Sequence, residues 1–341
     1  NTQALANMGK GGQNTVNPDT DVDFEWSYTD EPHATRRKQI MKEHPEVKQL
    51  FGPDWRLAPK VLFVVGLQIF FAYVASTLPD WRFWVFTYTC GGTLNHMLTL
   101  GMHEISHNLA FRKLTLNRLL GLCANSPLGI PAFVSFKRYH MDHHKYQGED
   151  VVDVDVPSRF ELRYFRSTLG KAVWMFLNPV WYSLRPLVTF PKPPTAREAV
   201  NWAWVLTFDY LIYRAFGVWA LVYLIAGTLL GMGLHPLAAH FIAEHVAFIS
   251  GQETYSYYGP LNWLSFNVGY HNEHHDFAVV PANNLAKLRS VAPEYYDNLP
   301  CHSSWTKVIW NYITDPRIGP QSRIKRRTLD QADVDWLQQR D

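Results

Sequence analysis

Cysteine is scarce: Cys90, Cys123 and Cys301 are the whole complement, and they lie far apart with no CxxC pair. A disulfide scaffold and a zinc ribbon are thereby excluded, and such isolated thiols are expected as buried apolar side chains. Net charge is equally slight, +2 over 341 residues, so there is no broad basic field for nucleic acid. No haem or flavin motif occurs either. The first 58 residues are too polar for a secretory signal, which places the N-terminus on the cytosolic side. Met8-Gly9 could open a myristoylation signal, but Gln13 stands where Ser or Thr is wanted.

Aromatic residues are plentiful instead, with 13 Trp, 17 Tyr and 20 Phe, as expected where amphipathic rings sit at a membrane boundary. Charge is absent from Val61 to Pro79 and from Phe83 to Met102, with only Asp80, Trp81 and Arg82 between. Each stretch suffices for a membrane-crossing helix, so the two form a tight hairpin. A second hairpin fits residues 199–236, since Ala199 to Tyr213 carries one charge, Asp209, and Ala215 to Ala243 none. Arg214 and Gly217 mark its turn. Residues 171–185 and 119–136, broken by Pro179 and by Pro127 and Pro131, read as interfacial. The expected fold is an all-α integral membrane protein of about four transmembrane helices in two hairpins, with a histidine-rich helical cap on the cytosolic side.

Lys and Arg concentrate in the N-terminal arm, the middle loop (Lys137, Arg138 and Lys145 among them) and the segment Arg323 to Arg327. The positive-inside rule then puts both termini and the middle loop in the cytosol. These basic groups are also candidates for docking an acidic electron donor or anionic lipid headgroups. Residues 1–22 read as a disordered lead-in, 23–58 as a cytosolic N-terminal segment, 59–327 as the membrane domain and 328–341 as a tail.

Three clusters dominate the 15 histidines: His103-Glu-Ile-Ser-His107, His140-Met-Asp-His143-His144 and His271-Asn-Glu-His274-His275. Residues three and four apart share a helix face, so each cluster aims several imidazoles at one point. A chance HxxHH is expected roughly 0.03 times in such a chain. All three clusters fall on one expected side of the membrane, which makes them a shared metal site. Eight imidazoles exceed the needs of one ion, implying two, and imidazole suits zinc, copper, iron or nickel alike. Glu104, Asp142 and Glu273 are candidate carboxylates for orienting the imidazoles. Asp209, inside a span, is expected to pair with Arg214, and His96 reads as a packed or channel-lining group. His103 to His107 also satisfies HExxH, the zinc-protease motif, but that reading leaves both HxxHH triplets unexplained.

The HxxxH, HxxHH, HxxHH order, with helical pairs before the first box and between the second and third, resembles the membrane fatty-acid desaturase and hydroxylase superfamily. The blocks Asp23 to Asp30, Ser135 to His144 and Glu253 to Pro260 resemble its sphingolipid delta-4 desaturases, with departures at Ala239 and Ala278. The resemblance implies two non-haem irons, oxygen as co-substrate, and electrons from NADH through cytochrome b5 reductase and cytochrome b5. It implies dihydroceramide as substrate, oxidised to the 4,5-trans alkene of ceramide in the endoplasmic reticulum membrane. A 4-hydroxylase using the same site and giving phytoceramide remains the alternative. The family also implies a ninth ligand before the third box, His245 in preference to His240.

Overall fold

The computed structural model describes residues 23–340, so the expected lead-in 1–22 and Met8-Gly9 lie outside it. The chain enters through β1 (Glu25–Ser27) and α1 (Pro32–Glu43), then reaches α2 (Leu57–Ser76). Pro79 ends the turn, and α3 (Asp80–Phe86), a π-helical turn at Thr87–Gly92 and α4 (Thr93–Ser106) run on as one continuous rod. α5 (Leu114–Asn125) and α6 (Phe133–Lys145) meet at 113°, broken by the short turn that holds Pro127. Three short helices follow: α7 (Arg159–Tyr164), α8 (Thr168–Phe176) and α9 (Asn178–Thr189). The second hairpin is α10 (Ala196–Phe216) and α11 (Val218–Met232). Gly217 makes its turn at φ +83°, a conformation open to glycine at little cost. Thr195 and Glu198 form a capping box at the start of α10.

Beyond α11 lie α12 (His240–Ala243), β2 (Ser256–Tyr257), α13 (His271–Asp276), α14 (Ala282–Val291), β3 (Cys301–His302), α15 (Trp305–Thr314), β4 (Ile324–Arg326) and α16 (Gln331–Gln339). The chain is mostly helical, with four short strands added to the expected helices. Two small parallel sheets, β1 with β4 and β2 with β3, tie distant segments together, Trp26 lying opposite Lys325 and Tyr257 opposite His302.

The two expected hairpins are present as helix pairs, but only α2 is by itself long and apolar enough to cross a membrane. The bent pairs α5 with α6 and α11 with α12 pass only if each counts as one span. The α3–α4 rod changes to π-helical winding at Thr87–Gly92, and α10 carries Asp209 and Arg214 within its apolar stretch. Exposed apolar side chains nevertheless clothe the hairpins. Phe63 and Phe70 of α2, Trp81 and Trp84 of α3, and Leu211 and Trp219 of the second hairpin all face outward, the pattern of a surface made for lipid.

The hairpins join along a seam of small residues. A Cβ on Gly231 would meet the Gly92 carbonyl oxygen at 2.4 Å, and one on Gly227 would approach Gly91 to 3.1 Å. Gly227 and Gly231 are four apart on α11, so only hydrogen side chains let its backbone sit against the π turn. Beside the seam, Gln68 donates to Asn95 Oδ1 at 2.8 Å, Asn95 donates to Thr228 Oγ1 at 2.9 Å, and the Tyr223 hydroxyl donates to Gln68 Oε1 at 3.0 Å. These buried amides and hydroxyls are satisfied by one another.

Asp209 is buried, but Arg214 does not pair with it: its Oδ1 has no partner. Five residues of α10 separate the two, which points them to different sides of the helix. The cysteines depart from expectation as well, Cys90 and Cys123 being half-buried and Cys301 exposed, all free. The basic segment Arg323 to Arg327 is mostly not a surface patch. Arg323 is buried, Arg326 is buried against Glu253, and Lys325 and Arg327 both engage Asp150. Parallel pairing of β4 with β1 turns this stretch inward.

Candidate metal centre

The histidines gather where four pieces of chain converge. The rod ending in α4 supplies His103 and, at its C-terminus, His107; α6 supplies His140, His143 and His144; α13 supplies His271, His274 and His275. His245 comes from the turn after α12. Eight of these imidazoles form two groups, within each of which one ring nitrogen per residue lies within 4.8 Å of the others. One group is His103, His107, His140, His144 and His274, and the other is His143, His245 and His275. His271 joins the second, its Nε2 being 2.9 Å from His245 Nε2.

Spacing tests whether metal ions fit. The Nε2 atoms of His107 and His140 are 2.9 Å apart, those of His140 and His144 3.1 Å, those of His144 and His274 3.2 Å, and those of His143 and His245 3.0 Å. Two imidazole nitrogens at a metal–nitrogen distance of about 2.0–2.1 Å stand roughly 2.8–3.4 Å apart for right-angle to tetrahedral geometry. The observed edges match that range. Such crowding of like groups is costly unless a cation fills the centre. The buried Nε2 of His275, which has no protein partner, adds to the case.

Electrostatics favour the ligand form. Burial, followed by repulsion among neighbouring imidazoles, holds His140, His144, His245, His271, His274 and His275 well below the ordinary histidine range, so they are neutral with free lone pairs. His143 is the exception. Burial alone would lower it, but the carboxylates of Asp153 and Asp155 outweigh that and raise it to about 9. Binding a metal there displaces a proton.

The expected orienting carboxylates are mostly engaged elsewhere. Glu104 accepts from the Ala282 N–H at 3.0 Å, Asp142 is bound by Lys192 and Arg340, and Glu273 accepts from the hydroxyls of Tyr258 and Ser256. Each is buried, but only Glu104 approaches an imidazole, its Oε1 lying 3.7 Å from His103 Nδ1. Glu104 Oε2 is thus tied to the first turn of α14. The groups that touch ligand histidines are Asp153, whose Oδ1 accepts from His143 Nδ1 at 3.0 Å, Glu244, 3.5 Å from His271 Nδ1, and the Glu253 carbonyl, 3.4 Å from His245 Nδ1. Sequence reasoning missed Asp153 and Glu244. The acidic run Glu149 to Asp155 was the available signal for the first. Asp153→Asn is expected to lower metal retention or turnover by about 10–100-fold, the usual effect of losing such a partner; metal content measured beside activity checks it.

His240 stays apart from the cluster: its Nδ1 lies 3.0 Å from Glu244 Oε1, and its ring stands edge-on to His96. His96 is packed, its Nδ1 donating to the Gly231 carbonyl. Beside the histidines a cavity has apolar walls from Leu100, Phe136, Trp174 and Phe241 and polar groups from Asn178, Tyr182 and Glu244.

Comparison with known proteins places this geometry. Residues 79–305 match the family model described as fatty acid desaturase, and residues 20–56 match that described as sphingolipid delta4-desaturase. The sphingolipid delta(4)-desaturase DES1 of Mus musculus is 52% identical over 307 residues, covering 89% of this chain and 95% of the relative. The Homo sapiens protein of that name is 51% identical over the same shares. That of Drosophila melanogaster is 49% identical over 313 residues, 90% of this chain and 96% of the relative.

Proposed function

The chain belongs to the fatty acid desaturase family, within its sphingolipid delta4 branch, and from that premise we propose that it is an oxygen-dependent di-iron desaturase acting on dihydroceramide. It is an oxidoreductase and a membrane protein of lipid metabolism. The observation that carries the finer reading is the convergence of nine histidines beside a cavity with an apolar wall, in a chain about half identical to delta(4)-desaturases. In this reading His103, His107, His140, His144 and His274 hold one iron, and His143, His245, His271 and His275 the other. The irons, when bound, supply the oxygen activation that removes hydrogen from an unactivated methylene.

The remaining work belongs to the protein. Leu100, Phe136, Trp174 and Phe241 exclude water and hold a short length of chain against the centre. Asn178, Tyr182 and Glu244 offer partners to the hydroxyls and amide of the substrate's polar end. The reaction balances with one dioxygen: two hydrogens leave carbons 4 and 5, a donor adds two electrons and two protons, and the products are the 4,5-trans alkene and two waters. Electrons come from NADH through cytochrome b5 reductase and cytochrome b5. The protein sits in the endoplasmic reticulum membrane with four spans, its termini and centre in the cytosol. Residues 59–327 form the membrane domain, 23–58 its N-terminal segment and 328–341 its tail.

Expression in cells that lack the activity, followed by mass spectrometry of their ceramides, tests the reading. Appearance of 4,5-unsaturated ceramide in an oxygen-dependent manner is expected. A product pool dominated by phytoceramide would replace desaturation by 4-hydroxylation, and no change in the ceramides would remove the substrate assignment altogether.

A further inference from the structure

The opposite face of α6 borders a second cavity that shares no lining residue with the histidine cavity. Arg118 and Leu122 of α5, Lys137 and Met141 of α6, and Arg197 and Val200 of α10 help enclose about 460 Å³, a volume within the range of ligand sites. Its floor is apolar, with Leu122 and Phe133 buried, while Leu114 and Val200 are exposed at its mouth. The rim is cationic. Some of these cations are already compensated: Arg138 reaches Glu198 at 3.0 Å, and Lys192 and Arg340 share Asp142.

Three are not. Arg118, Lys137 and Arg197 have no carboxylate within ion-pair distance among the described residues, and Lys137 Nζ donates to Asn108 Oδ1 at 2.9 Å. Burial and repulsion from Arg118 and Arg197 bring the Lys137 ammonium down to about 8. A partly desolvated ammonium flanked by two exposed guanidiniums that repel it is what a bound anion relieves. Depth and lining say what kind of anion. An acidic protein surface would meet the rim and leave the apolar floor empty, whereas a phospholipid brings a phosphate and an alkyl chain together. Trp202 and Trp204 are exposed just beyond Val200 on α10, at the level where such rings mark the headgroup zone.

We propose that this cavity binds an anionic phospholipid, its phosphate held among Arg118, Lys137 and Arg197 and the start of its acyl chain lying along Leu114, Leu122 and Val200.

The test is native mass spectrometry of the full-length protein in detergent, with dioleoyl phosphatidic acid, dioleoyl phosphatidylcholine or inorganic phosphate added. Wild-type protein is expected to retain phosphatidic acid in preference to phosphatidylcholine and not to retain inorganic phosphate. Arg118→Gln, Lys137→Gln and Arg197→Gln should each lower that retention about fivefold, the usual worth of one basic residue near anionic lipid, and the triple variant should lose the preference. Leu114→Asp, at an exposed position that folding does not need, should also weaken it. Equal retention of phosphatidic acid by the wild type and the triple variant overturns the proposal. So does binding of inorganic phosphate as strong as that of the lipid, or a triple variant that loses only its reduction by an acidic donor protein.

Discussion

His274→Ala and His143→Ala, one from each histidine group, are expected to abolish turnover and to remove at least one of two bound irons. The loss should exceed the roughly 10–100-fold effect of removing a partner outside the ligand set, because in the proposed reading each imidazole supplies a metal–nitrogen bond that no neighbour can replace. The helices of the two hairpins are untouched by either change, so membrane insertion should persist. A sharper contrast lies within one short segment. His245→Ala should behave like the other two, since its Nε2 stands 3.0 Å from His143 Nε2 and 2.9 Å from His271 Nε2. His240→Ala should keep both irons, because its ring faces His96 and Glu244 instead. Metal analysis of the purified variants, alongside ceramide mass spectrometry, reads both effects. Near-normal iron and activity in His245→Ala would contradict the ligand set.

Arg326→Met is expected to cost about 3–5 kcal/mol of stability, the penalty for leaving a buried carboxylate without its partner. Arg326 donates through both terminal nitrogens to Glu253, and its Nε donates to the Thr29 carbonyl at 3.0 Å. One side chain thus fastens β4, the N-terminal segment and the loop behind His245. The Glu253 carbonyl lies 3.4 Å from His245 Nδ1, so freeing that loop should also loosen a metal ligand. Thermal unfolding in detergent measures the first effect and iron retention the second. Adding Glu253→Leu should recover part of the stability, since the stranded charge is then gone. A melting temperature for Arg326→Met equal to wild type would show the pair to be inert.

Local periodicity makes the histidine groups legible in the amino-acid sequence, because spacings of three and four residues put imidazoles on one helix face whatever the rest of the chain does. The helical pairs are readable for a similar reason, as long uncharged runs separated by a short polar or glycine turn. What escapes depends on contacts between distant segments. Arg323 and Arg326 look like any cytosolic cation in sequence, and only the parallel pairing of Ile324–Arg326 with Glu25–Ser27 turns them inward. Asp142 and Glu273 sit inside the boxes yet point to Lys192 and to Tyr258, while Asp153, ten residues beyond His143, curls back to it through the turn at Gly148. The π turn at Thr87–Gly92 escapes as well, since the Gly91–Gly92 pair gives no clear warning of it.

The most direct test of the central claim is the metal content of purified, catalytically active protein. Two irons per chain, lost together with activity on chelation and restored with it on adding ferrous iron, is the expected result. One stoichiometric zinc and no iron in active protein would contradict the account.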